Sequence, residues 1–219
     1  MTVTRRFDLL LYAITEKRYS RGRSLIELME PCLKGGASVV QLRDKDASTR
    51  ELVSEAIELR NLTRAHSALF IINDRVDVTL VVSADGVHLG SDDMEPALAR
   101  NLLGPDKIIG KTVRNADEAG EAELQGVDYV SAGSIFKSET KDAPVIGLGA
   151  LENICKATNL PVVAIGGIKL ENLESIFARG ASGVAVAKEL LDFPDIEERA
   201  KNLRTVIDKL NSETAGKQK

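Results

Sequence analysis

Eight short apolar runs, rich in Val, Ile and Leu, recur along the chain with polar, helix-punctuated segments between them. They are "LLLYAIT" (9–15), "SVVQLR" (38–43), "LFIIND" (69–74), "GVHLG" (86–90), "IIGKT" (108–112), "DYVSAG" (128–133), "PVVAIGG" (161–167) and "SGVAVAK" (182–188). Near-continuous apolar runs, rather than strict alternation, mark strands buried on both faces, as in parallel sheets clad by helices. The intervening segments carry helix signals. Ser24 and Glu27, Ser48 and Glu51, and Asn115 and Glu118 have the spacing of N-terminal caps, and Gly35–Gly36 closes the first helix. After Ser48, the residues Leu52, Val53, Ala56, Ile57 and Leu59 supply a packing face. "NLESIFARG" ends in a basic residue and a glycine, as a helix C-terminus should. Eight strands alternating with helices in 219 residues predict one α/β domain, a single (β/α)8 TIM barrel over residues 1–210. The polar remainder, 211–219, reads as a disordered tail. An open doubly wound sheet is the alternative, but no G-x-G-x-x-G follows the first strand.

Composition narrows the partners. The chain is 43% hydrophobic and 28% charged with a formal net charge of -4, which argues against nucleic-acid and acidic-membrane partners. No apolar run approaches a membrane-spanning length. The opening "MTVTRRFDLLLYAITEK" places a basic pair before an apolar run, yet it continues into Glu16-Lys17-Arg18 without a small-residue cleavage site. A cytoplasmic protein is expected, and homo-oligomerisation is left open. Cys32 and Cys155 lack metal-type spacing, and Cys32 reads as a small buried thiol. Two histidines, His66 and His88, are too few for a His-rich metal site.

In a β/α barrel the site is built at the C-terminal ends of the strands, and polar residues collect there. Strand two ends in Gln41, Arg43 and Lys45, strand three in Asn73 and Asp74, strand four in His88 with Asp92 and Asp93 just beyond. Strand five ends at Thr112, strand six runs into "SIFKSETKD", strand seven ends in Gly166-Gly167 and strand eight at Lys188. Alternation puts Gln41 and Arg43 on one face, with Lys45 if the strand persists, and Asp44 and Asp46 on the other. Two readings stand at this point: an amide and two cations aimed at the barrel mouth, or a solvated strand end with the aspartates opening the next helix. Asp74 and Asp93 suit Mg2+ shared with a substrate phosphate, or serve as caps and surface partners. His88 alone reads as a packed, hydrogen-bonded histidine. Gly166-Gly167 lies where such barrels commonly hold phosphate, with backbone N–H groups free to approach an anion. Ser138, Thr140 and Lys141 form a hydroxyl- and ammonium-bearing loop of the kind that grips oxyanions. No activated nucleophile is apparent.

Taken in order, "VVQLRDK", "LFIINDRVD", "ADGVHLGSDD", "SETK" and "VVAIGGI" resemble the thiamine-phosphate synthase family, from about residue 9 to 192. That family joins a hydroxymethylpyrimidine diphosphate to a thiazole phosphate, in plain or carboxylated form, releasing pyrophosphate with Mg2+. The resemblance implies that Gln41, Leu42, Arg43, Asp44, Lys45, Asn73, Thr112 and Lys141 hold the pyrimidine diphosphate. It implies that Asp74 and Asp93 hold Mg2+, and that Ser138, Glu139, Thr140, Gly167, Ala187 and Lys188 receive the thiazole phosphate. The family chemistry is dissociative: diphosphate leaves first and the thiazole nitrogen captures the pyrimidine cation. Arg43, Lys45, Lys141 and Thr112 are then the groups expected to act on the departing diphosphate, with Gln41 and Asn73 positioning.

Three residues depart from the family pattern. Thr112 replaces a usual Ser and Ser138 a common Thr, both keeping the hydroxyl. Lys188 replaces a small Ser, so its ammonium either contacts the thiazole phosphate or reaches solvent on a packed stem. Two other functions use the same fold: a thiazole tautomerase, which has no use for the Gln41-x-Arg43-x-Lys45 and Asn73-Asp74 groups, and a non-catalytic sensor of phosphorylated ligands.

Overall fold

A computed structural model describes residues 7–140 and 143–217, the last four as backbone only. Each apolar run contains one strand: β1 Leu11–Ile14, β2 Val39–Leu42, β3 Leu69–Asn73, β4 Gly86–Leu89, β5 Ile108–Val113, β6 Tyr129–Gly133, β7 Val162–Ile165 and β8 Gly183–Val186. All pair in parallel in sequence order, and β1 closes on β8. The predicted (β/α)8 barrel is what the chain forms.

Alternation sorts every strand into two cores. Leu11, Val40, Leu42, Phe70, Ile72, Val130 and Val184 point outward to the helices. Tyr12, Val39, Ile71, Ile108, Tyr129, Val163 and Ala185 fill the barrel interior. The helices are α1 Leu25–Lys34, α2 Thr49–Ala65, α3 Val76–Val81, α4 Pro96–Leu103, α5 Ala116–Leu124, α6 Gly147–Ala157, α7 Leu173–Phe177, α8 Lys188–Leu191 and α9 Ile196–Lys217. Ser24 and Ser48 form reciprocal capping boxes with Glu27 and Glu51, and Asn115 caps α5 by accepting from the Glu118 N–H. Leu52, Ala56 and Leu59 are buried under α2, but Ile57 is 50% exposed. It follows Ala56 by one residue, which turns it about 100° off the packing stripe. The last helix continues to Lys217, beyond the boundary expected at residue 210. The segment after Asn211 contains no proline, and Gly216 is its first helix-breaking residue. No described helix is long and apolar enough to cross a membrane. Cys32 is fully buried, and burial pushes its thiol up to about 12.

Candidate active site

The inward set continues upward from the apolar interior to the C-terminal mouth. Gln41 follows inward Val39 by two residues and lies opposite Ile14, a residue of the mouth cavity. Its amide Nε2 donates to the Tyr12 phenol at 2.7 Å. The Tyr12 and Tyr129 hydroxyls are 3.0 Å apart, the Tyr129 hydroxyl lies 2.9 Å from His88 Nδ1, and His88 Nε2 lies 2.9 Å from Thr112 Oγ1. Gly110 makes room for this arrangement, because a Cβ there would come within 2.1 Å of the Tyr129 ring.

Arg43 lies just past the last residue of β2, and its backbone is clamped to the end of β1. Its N–H donates to Thr15 Oγ1 at 2.8 Å, and that hydroxyl donates back to the Arg43 carbonyl at 3.1 Å. Among the described residues its guanidinium meets one carboxylate, Glu16, 3.7 Å away. Lys45 reaches Asp74 at 3.2 Å although the strand has ended, and it borders one hollow at the mouth with Arg43, while Gln41 is buried below them against Tyr12. Leu42 is turned away: its side chain packs outward in the helix-facing core, so only its backbone is near the mouth. Asp44 stays beside Arg43 and Lys45 at the mouth, but its side chain is committed. Its carboxylate takes Lys17 at 2.6 Å and the N–H groups of Asp46 and Ala47, which builds the turn into α2.

Asp74 holds φ at 64°, a left-handed conformation that few residues besides Gly, Asn and Asp adopt. It carries its carboxyl within hydrogen-bonding reach of Asp93, which itself accepts from the Gly90 N–H at 2.7 Å. Burial first, and then the facing Asp93 carboxylate, raise the Asp74 pKa against the pull of Lys45. Two half-buried carboxylates pressed together with one lysine beside them are a donor set that a hard dication satisfies. Mg2+ takes one or two carboxylates and completes its shell with water and phosphate oxygens. The described residues hold no cluster of three or more His, Cys, Asp or Glu side chains placed for a metal.

The opposite side of the mouth is the β6–β8 side. A cavity of about 450 Å3 is lined by Arg43, Thr112, Ser138, Thr140, Gly167 and Lys188 among others. A neighbouring hollow shares Glu16, Arg43 and Thr140 with it and includes Lys45. Asn73, Asp74 and Asp93 line neither, and Asp74 meets the hollow through Lys45. Gly166 and Gly167 have φ of 94° and 63°, and a Cβ on them would come within 1.9 Å of Ser134 Oγ and 2.6 Å of the Lys137 carbonyl. Only glycine fits there. Ser138 Oγ accepts from the Thr140 N–H at 3.2 Å. Lys188 pairs with Glu139 at the rim of the cavity, an ion pair that stays open to solvent. Lys141 lies outside the described residues.

Sequence reasoning missed Tyr12, Tyr129, Glu16 and Arg18. The tyrosines carried a signal, since each is a polar-tipped ring inside an aliphatic strand run. Arg18 straps the β6 loop by donating to the carbonyls of Glu139 and Thr140 while holding Glu16. Burial pushes Glu16 up, but the Arg18 hydrogen bonds and the charges of Arg18 and Arg43 outweigh it and hold the carboxyl below its usual range. Stability from Glu16 is therefore present above the ordinary value of 4.5 and lost as pH falls through the lower folded value. Glu16→Gln is expected to lower Tm at pH 7 by about 1–3 °C, a difference that narrows in thermal melts as pH falls below the ordinary value of 4.5.

A closed barrel whose mouth carries cations, a carboxylate pair and a glycine-lined loop after β7 has the make-up of a TIM-barrel enzyme that handles phosphorylated substrates. The family model described as Thiamine monophosphate synthase matches residues 11–190, and the chain belongs to that family. A thiamine-phosphate synthase from Chloroflexus aurantiacus is 44% identical over 209 residues, 94% of this chain and 96% of that protein. One from Clostridium novyi is 44% identical over 199 residues, covering 90% and 97%. The solved thiamine phosphate pyrophosphorylase from Pyrococcus furiosus superimposes with a TM-score of 0.86 at 40% identity, covering 93% of this chain and 97% of that one.

Proposed function

We infer that this chain is a thiamine-phosphate synthase. It joins 4-amino-2-methyl-5-(diphosphooxymethyl)pyrimidine to 4-methyl-5-(2-phosphoethyl)thiazole and releases pyrophosphate. The carrying observation is that Arg43 and Thr112 border the same cavity as the Ser138–Thr140 loop, Gly166-Gly167 and Lys188. Gln41, Arg43, Lys45, Asn73, Asp74, Asp93 and Thr112 stand on the β2–β5 side, and the Ser138–Thr140 loop, Gly166-Gly167 and Ala187–Lys188 on the β6–β8 side. Two phosphorylated substrates can be held facing each other there.

Arg43 and Lys45 take the charge that builds on the diphosphate as its bond to the pyrimidine methylene breaks, a role that the family resemblance extends to Lys141. Gln41 and Asn73 orient the ring and its substituent. Asp74 and Asp93 would hold Mg2+, which when bound supplies further positive charge to the leaving diphosphate. No side chain needs to attack: the thiazole nitrogen captures the pyrimidine cation, and the protein supplies orientation and a fixed electrostatic frame. Hydroxyls of Ser138 and Thr140 and backbone N–H groups of Gly167 and the start of α8 receive the thiazole phosphate.

Lys188 is close enough to exchange Glu139 for that phosphate. Exposed ion pairs contribute little, so the exchange is nearly free. Lys188→Ser is expected to raise the KM for thiazole phosphate about 3- to 10-fold with kcat little changed. An unchanged KM in steady-state kinetics would assign the lysine to Glu139 alone. The function itself is tested by incubating the protein with both substrates and Mg2+ and assaying thiamine phosphate. Interconversion of thiazole isomers without product would point to a tautomerase.

A further inference from the structure

The five-membered run Gln41–Tyr12–Tyr129–His88–Thr112 crosses the barrel interior as one unbroken series of hydrogen bonds of 2.7, 3.0, 2.9 and 2.9 Å. Its two ends belong to the set assigned above to the pyrimidine diphosphate. Its three middle members have no role there. Tyr12, Tyr129 and His88 are 1%, 0% and 7% exposed, so these hydrogen bonds are shielded from bulk water. Burial raises both phenols above their ordinary value, and each keeps its proton.

A phenol has one proton to donate, and so does a neutral imidazole. The direction of any one bond therefore fixes all the others. With Gln41 donating its amide N–H to Tyr12, Tyr12 donates to Tyr129 and Tyr129 donates to His88 Nδ1. His88 then carries its proton on Nε2 and donates to the Thr112 oxygen. The Thr112 hydroxyl proton is left pointing into the cavity that Thr112 lines. At the other end Gln41 keeps its carbonyl oxygen for a ligand. Running every bond the other way turns the Gln41 NH2 outward and leaves Thr112 with only lone pairs toward the mouth. A lone-pair-only hydroxyl repels a diphosphate, and an outward amide NH2 repels an amino group.

We propose that Tyr12, Tyr129 and His88 are positioning residues that polarise this series in one direction, so that Gln41 presents its carbonyl and Thr112 its hydroxyl proton to the pyrimidine diphosphate. The inference rests on the function proposed above. It makes the series a specificity device: the Gln41 carbonyl accepts from the 4-amino group of the ring, and a 4-oxo ring meets acceptor against acceptor. Sites built to pair a substrate N–H discriminate strongly against analogues that lack it.

The test reads the proton on His88 directly. The chain holds only two histidines, His66 and His88, so long-range 1H–15N spectra of 15N-histidine-labelled protein resolve both rings. The expected result is a neutral His88 protonated at Nε2. A ring protonated at Nδ1, or at both nitrogens at neutral pH, overturns the proposal. The second readout is Tyr129→Phe, which keeps the ring over Gly110 and removes one link. His88 should then sample both tautomers, and the preference in kcat/KM for the 4-amino over the 4-oxo pyrimidine diphosphate should fall at least 10-fold, while the KM for thiazole phosphate holds. Tyr12→Phe breaks the series one link earlier and should relax discrimination alike, should Tyr129→Phe fail to fold. Unaltered discrimination in a folded variant contradicts the proposal. The tautomer measurement needs no turnover, so an inactive wild-type protein would sink the assigned reaction and still leave the hydrogen-bond direction decided.

Discussion

Asp74→Asn is expected to lower kcat/KM about 1,000-fold while making the metal-free protein slightly more stable. The two effects have one cause. In the folded chain Asp74 is half-buried against the Asp93 carboxylate, with Lys45 at 3.2 Å as partial compensation. Its pKa is raised, so the folded state holds that proton more tightly than the unfolded chain does. The carboxyl therefore costs nothing below the ordinary value of 3.8, and stability falls as pH rises from there through the folded value. At neutral pH the cost is fully present. Asparagine removes the charge, keeps the shape and tolerates the φ of 64°. Melts without metal should show Tm up by about 2 °C at pH 7 and no gain near pH 3. The same change removes half of the carboxylate pair assigned to Mg2+, and losing transition-state charge stabilisation of this kind costs on the order of 100- to 1,000-fold. Mg2+ should raise the Tm of the wild type and leave the variant unmoved.

Arg43→Met should reduce kcat about 100- to 1,000-fold with little change in stability. Arg43 lines both hollows of the mouth, and among the described residues its nearest carboxylate, Glu16, is 3.7 Å away, too far for a strong ion pair. It is thus held ready for a ligand rather than spent on the fold. The backbone clamp from Thr15 survives the substitution because it uses only main-chain groups of Arg43. Arg43→Lys should recover only part of the loss, since an ammonium cannot make the bidentate contact of a guanidinium. Urea titration checks that stability holds, and steady-state kinetics the drop in kcat.

The barrel was legible because parallel strands buried on both faces leave unbroken apolar runs, and eight of those runs leave few alternatives. Parity within "VVQLRDKD" set Gln41 and Arg43 apart from Asp44; the Asp44 carboxylate does turn to Lys17 and the α2 entry, yet Asp44 borders the same hollow as Arg43 while Gln41 borders neither. Leu42 and Asp44 enter the expected site only through the family resemblance, and their side chains are turned elsewhere. The interior series was not legible. Tyr12 and Tyr129 are 117 positions apart, and nothing local to either run says that β1 and β6 side chains meet across a closed barrel. Glu16 and Arg18 were hidden for a similar reason: their partners, Arg43 and the Glu139–Thr140 carbonyls, are distant in sequence. Lys188 stood out as a lone cation at a strand end, yet its pairing with Glu139 depends on how the β6 loop folds back.

The most direct test of the account is a single-tube stoichiometry: pyrophosphate and thiamine phosphate measured together from both substrates with Mg2+, in wild type and Arg43→Met. The account predicts one pyrophosphate per thiamine phosphate in the wild type and both products falling in step in the variant. Thiamine phosphate formed at the wild-type rate by Arg43→Met, or thiazole isomerisation with no pyrophosphate in either protein, would contradict it.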